Sequence, residues 1–112
     1  MKEHDIKLVK GMLAFAYKIE RRIEGLSLQQ FMADDDIQEA ILYAVGQMGE
    51  KANKLSDAFK EKYPRAEWYG LVGLRNRVFH TYEDISMEII YHTVTDQITH
   101  LIRILMEIED EL

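Results

Sequence analysis

Within the eight residues from Arg75 to Tyr82 the chain carries a permanent cation, an amide, a titratable imidazole and a phenol: Arg75, Asn76, His80 and Tyr82. An imidazole moves protons near neutral pH. A guanidinium presents a planar fork of donors that can make two bonds to phosphate oxygens. These groups suit cleavage of RNA without a metal. In that reaction the ribose 2′-OH attacks phosphorus, a base takes its proton, an acid protonates the departing 5′ oxygen, and a cation offsets charge at the phosphate. The residue types assign His80 to proton transfer and Arg75 to the phosphate. Asn76 would orient phosphate or imidazole, and Tyr82 would present an accessible phenol just past a helix.

Helical spacing limits how these groups can meet. Asn76 and His80 are four apart and share a face. Arg75 and His80 are five apart, about 140° around an ideal helix. They converge only if the helix ends near His80 or if two chains contribute. One histidine in the set is awkward as both base and acid, and a twofold dimer with two copies of the set in one cleft removes the difficulty. Taken alone, a histidine at a helix end is more often a surface or capping residue, so the elements around it must be weighed. Arg77 reads as a solvated charge that could line the cleft and touch RNA or a partner. Glu50 reads as a salt-bridge residue that could also line the cleft. His92 and His100 lack the four-residue spacing of a helical metal pair, and Asp34, Asp35 and Asp36 read as a helix start rather than a cation site. With no cysteine there is no thiol chemistry and no cysteine-based zinc site. No phosphate loop or cofactor fingerprint is present, so neither metal nor cofactor is expected.

The elements that must position the set are helical. The 112 residues fit one domain spanning 1–112, and they include one proline and six glycines. Fourteen basic against 20 acidic residues give a net charge of −6. That charge argues against a general RNA-coating role and permits a local cationic cleft. No signal peptide or membrane span is read from the chain, and a soluble cytoplasmic protein is expected. Helical stripes run over about 5–24, 37–61, 68–79 and from Asp84 or Ser86 onward. Ser27 with Gln30, and Asp36 with Glu39, form capping-box patterns. His4 and Asp5 read as a disordered or capping terminus. Gly46 and Gly49 suggest close helix packing. Tyr43, Tyr17 and Tyr91 read as core or dimer surface, and Trp68 as the anchor of the third helix. No segment alternates with period two. The expected fold is an all-α bundle of four main helices plus a short helical turn around Phe31.

Ser27-Leu28-Gln29-Gln30-Phe31, Gln38-Glu39-Ala40, Gly49-Glu50, Lys62-Tyr63-Pro64 with Trp68, Gly73-Leu74-Arg75-Asn76 and His80-x-Tyr82 together resemble the HepT-like toxins of the HEPN superfamily. The likeness covers nearly the whole chain. Two positions depart from the family pattern: Lys51 stands where alanine is frequent, and Glu83 where an aromatic is frequent. The resemblance implies a HEPN bundle and a homodimer with facing Arg75, Asn76 and His80 sets. It implies a metal-independent endoribonuclease acting on mRNA or tRNA and toxic to its own cell. The implied partner is a minimal nucleotidyltransferase (MNT) antitoxin that transfers AMP to Tyr82. A rival reading is a noncatalytic helical module that docks onto and supports a nucleotidyltransferase. A third is a toxin that acts by binding a protein.

Overall fold

A computed structural model describes residues 2–80 and 85–112, and its regular elements are all helices. Helix α1, Lys2–Ile23, turns Val9, Met12, Ala16 and Ile19 fully inward. It ends before Gly25, whose φ of 71° lies in the left-handed region that favours glycine. Helix α2, Leu28–Met32, opens on the expected capping box. The Ser27 hydroxyl accepts from the Gln30 N–H at 3.0 Å, and the Gln30 side chain accepts from the Ser27 N–H at 2.9 Å. Phe31 is fully buried.

Helix α3, Asp35–Lys54, starts earlier than the capping pattern at Asp36 and Glu39 suggested. Its cap is Asp34, which accepts from the Ile37 N–H at 3.0 Å. The physical reason lies in Gln38, whose amide donates to the carbonyls of Phe31 and Met32 at 2.9 and 3.1 Å. Those bonds satisfy the open end of α2 and fix the corner two residues upstream of Asp36. Asp35 and Asp36 fall in the first turn, where negative charge suits the helix dipole.

The long helix expected over 37–61 is two helices. Helix α3 stops at Lys54, Leu55 is extended, and α4, Asp57–Lys62, restarts from the cap Ser56. The break is set from the far end of the sequence. Asp5, only 4% exposed, accepts from the Ser56 N–H at 2.9 Å and from its hydroxyl at 2.8 Å. The Ser56 hydroxyl in turn accepts from the Phe59 N–H at 3.2 Å. The Asp5 carboxylate thus takes the Ser56 N–H out of the helical ladder. Asp5 is an internal tie rather than a loose terminus.

Tyr63 and Pro64 end α4 as expected, and a short 3-10 turn, Pro64–Ala66, leads through Glu67 (φ 53°) into α5, Trp68–His80. Trp68 is 2% exposed and packs its ring 6.1 Å from that of Phe59. Helix α6, Met87–Asp110, takes Ser86 as its cap. Helix α5 packs on α3, α3 on α1, and α1 on α6. Among the described residues the long helices are α1, α3, α5 and α6, and the arrangement is all-α. Helix α5 is the least buried of the four, with only Trp68 and Val78 inside. Among the described residues, no helix is long and apolar enough to cross a membrane.

Candidate active site

Two glycines of α3 bring α5 close. A Cβ at Gly49 would overlap the Cβ of Arg75 and sit 2.7 Å from the Leu71 carbonyl. A Cβ at Gly46 would sit 2.7 Å from the Phe79 ring. Gly46 and Gly49 therefore serve the close packing their spacing suggested. They bring the stem of Arg75 directly onto the α3 backbone.

From that position Arg75 meets three partners. Its Nε and one terminal nitrogen both donate to Glu50 Oε2, at 2.9 and 2.7 Å. Its other terminal nitrogen donates to the Asn76 side-chain oxygen at 2.7 Å. Its guanidinium carbon lies 4.6 Å from the centre of the Phe79 ring, in cation–π range. Glu50 also faces Lys54 at 3.9 Å. Both members of the Arg75–Glu50 pair are largely covered, at 23% and 29% exposure of their side chains. A pair so covered is less screened by solvent than one on the open surface.

His80 is the last residue of α5 and is exposed. The helix is continuous from Arg75 to His80, so their separation of about 140° around the axis stands. Among the described residues no hydrogen bond or ion pair joins His80 to Arg75. Asn76 lies between them, bonded to Arg75 on one side and about 40° from His80 on the other. The structure therefore gathers Arg75, Asn76, Glu50 and Phe79, and leaves His80 beside them on the outer arc. Arg77 is on a different flank. It lines the groove between α5 and α6, a cavity of about 290 Å³ floored by Val45 and Met48. Arg75 is not among the residues that line that cavity. Tyr82 lies outside the described residues.

By sequence Glu50 reads as a salt-bridge residue that could also line the cleft. The structure makes it the direct acceptor of Arg75. A usable signal was present, since Gly49 beside Glu50 marks where another helix comes close. Among the described residues no group of three or more histidine, aspartate or glutamate side chains is arranged to hold a metal ion. His92 faces Glu88 at 3.9 Å, and His100 bonds Arg103 at 2.9 Å.

Arg75, Asn76 and His80 thus stand on one outer helix of an all-α bundle. The model of the family described as Ribonuclease HepT-like matches residues 12–108, and the chain belongs to that family. Among relatives, "Putative RNase MJ0127" of Methanocaldococcus jannaschii is 28% identical over 106 residues, covering 88% of each chain. "Putative RNase TTE0752" of Caldanaerobacter subterraneus is 28% identical over 87 residues, 78% of each. "Probable ribonuclease HepT" of Thermococcus cleftensis is 24% identical over 83 residues, 74% of this chain and 76% of that one. No solved structure matches.

Proposed function

We propose that this protein is the toxin of a toxin–antitoxin pair, a homodimeric endoribonuclease that cuts mRNA or tRNA without a metal. The observation that supports the reading most is Arg75. In a chain of the HepT-like family, it is held against α3 with its fork directed by Glu50 and Asn76, next to an exposed His80. The RNase names of the relatives agree with it.

In this reading Arg75 receives the scissile phosphate. The neutral imidazole of one protomer's His80 removes the 2′-OH proton as the 2′ oxygen attacks phosphorus. The protonated His80 of the other protomer gives its proton to the departing 5′ oxygen, and a 2′,3′-cyclic phosphate and a free 5′-OH result. The dimer is part of the proposal because each protomer offers one histidine on the outer arc of α5, turned away from its own Arg75. Asn76 couples the two by bonding Arg75 and sharing a face with His80. The antitoxin would be an MNT-type nucleotidyltransferase that transfers AMP to Tyr82. An added adenylate brings bulk and negative charge beside the cleft and repels RNA.

The test is cleavage of total RNA and defined tRNAs in EDTA by purified, unmodified protein, beside His80→Ala and Arg75→Ala. Discrete cuts that survive EDTA and vanish in both variants are expected. Wild-type rates from both variants would end the assignment. No cuts at all, from a dimer shown by mass to carry no AMP, would favour the alternative of a noncatalytic module that docks onto a nucleotidyltransferase. The net charge of −6 and the Arg75–Glu50 pairing are the features that suit that alternative.

A further inference from the structure

An aromatic strip with cations beside it crosses one face of the bundle and leads to Arg75. Tyr43 on α3 is 62% exposed and Phe79 on α5 is 49% exposed. Neither is core. The two line an open groove together with Glu39, Leu42 and Val78. Tyr43 meets the Phe15 ring of α1 edge-on at 6.0 Å. Lys18 and Lys51 each hold an ammonium over Phe15, at 5.1 and 5.4 Å from its centre. At the other end Phe79 carries the Arg75 guanidinium. The run Lys18, Phe15, Tyr43, Phe79, Arg75 thus interleaves cations with rings in a protein that is acidic overall.

We infer that Tyr43 and Phe79 form a stacking shelf for a base of single-stranded RNA beside the scissile phosphate held by Arg75. This rests on the ribonuclease reading above. Sequence-tolerant binding of single strands combines these two ingredients, aromatic faces for the bases and cations for the backbone. The charge pattern decides which part of a nucleotide sits where. Glu39 at the shelf repels a phosphate but tolerates a base, whereas Arg75 and the lysines at the two ends attract phosphates. A base on Tyr43 would leave its backbone spanning from Lys18 and Lys51 towards Arg75. The shelf would select unpaired RNA, because a base inside a duplex cannot present its face to a ring.

The probe is a short single-stranded oligonucleotide with 2′-O-methyl riboses, which lacks the nucleophile and is not cut. Binding to the intact protein is followed by fluorescence anisotropy, with oligomer mass measured alongside. Tyr43→Ala is expected to weaken binding by about 5- to 10-fold, the lower part of the range for losing one stacked base at an exposed ring. Tyr43→Trp and Tyr43→Phe are expected to bind like the wild type, and a duplex of the same sequence to bind worse. Equal binding by Tyr43→Ala, or no binding by the wild type, would overturn the shelf. Loss of the dimer in Tyr43→Ala would also overturn it and make this face a contact between copies. Binding does not depend on cutting. Stacking with no cleavage of natural RNA would overturn the ribonuclease reading alone, and cleavage without a Tyr43 effect would overturn the shelf alone.

Discussion

Gly49→Ala and Gly73→Ala form a matched pair that isolates how Arg75 is held. Both glycines are interior to helices, α3 and α5. Each change gains about 1 kcal/mol of helix propensity. Around Gly73 nothing lies within 4 Å of a new Cβ, so the gain stands alone. In a domain of about 100 residues that is roughly 4 °C in Tm. At Gly49 the new methyl meets the Arg75 Cβ and, at 2.7 Å, the Leu71 carbonyl oxygen. Neither atom can leave by a rotamer change, so α5 itself must move away from α3. Overpacking of this kind costs about 1–3 kcal/mol, and the rigidity of both atoms argues for the upper end. Less the propensity gain, Gly49→Ala should lose about 2 kcal/mol, so the two variants differ by roughly 3 kcal/mol. Urea and thermal unfolding would measure the difference. RNA cleavage by the folded fraction should fall in Gly49→Ala and stay near wild type in Gly73→Ala. A Gly49→Ala protein as stable as Gly73→Ala would refute the close α3–α5 contact and with it the account of how Arg75 is fixed.

Three other outcomes follow from named contacts. Asp5→Ala removes the acceptor of two bonds from Ser56 inside the protein, and should cost about 2–3 kcal/mol, seen as a lower urea midpoint with an unchanged slope; no change would mean that the α3–α4 break does not depend on Asp5. Glu50→Gln keeps an amide oxygen for Arg75 but takes the charge from a largely covered pair; it should cost about 1–2 kcal/mol and reduce kcat for RNA by about 10- to 100-fold as the Arg75 fork loses alignment; a rise in kcat would show that Glu50 masks Arg75 rather than aligning it. Asn76→Asp keeps the acceptor for Arg75 at 2.7 Å but adds a charge; it should abolish cleavage at near-native Tm, and an active Asn76→Asp enzyme would place the phosphate elsewhere.

Periodicity disclosed α1, α3 and α6, whose broad apolar stripes are buried, and more thinly α5, where only Trp68 and Val78 are inside. It did not disclose the break at Leu55. The stripe of 37–61 runs on through Phe59, and the interruption depends on Asp5, 51 residues from Ser56. Local pattern cannot contain such a contact. The Asp34 cap was obscured for a similar reason, since any of three consecutive aspartates could serve and Gln38 decides between them. In the candidate site, residue type and spacing single out Arg75, Asn76 and His80, while the pairing of Glu50 with Arg75 depends on the approach of α5 to α3 at Gly49, which local sequence does not contain. The Tyr43–Phe79 shelf was not legible. Tyr43 lies at helical spacing with buried residues, and only the geometry of α1, α3 and α5 together shows that its ring is in solvent.

If Arg75 receives the phosphate as proposed, its contacts bear on how one helix would offer a fixed cation to RNA. A free arginine side chain has about 2 kcal/mol of rotamer freedom to lose when it grips a ligand. Here Gly49, Phe79 and Glu50 have already ordered the stem and the fork. The cost falls on folding, and a phosphate arriving later does not meet it. The edges of the fork are also used unequally. Glu50 occupies Nε and one terminal nitrogen with a charged acceptor, while the other terminal nitrogen donates, among the described residues, to the neutral amide of Asn76. A charged acceptor binds a guanidinium more strongly than a neutral one. A phosphate oxygen can therefore displace Asn76 without disturbing Glu50, and the released amide lies on the His80 side of the helix. In the proposed ribonuclease, exchange at that one edge would let Arg75 accept a substrate while keeping the bonds that aim it.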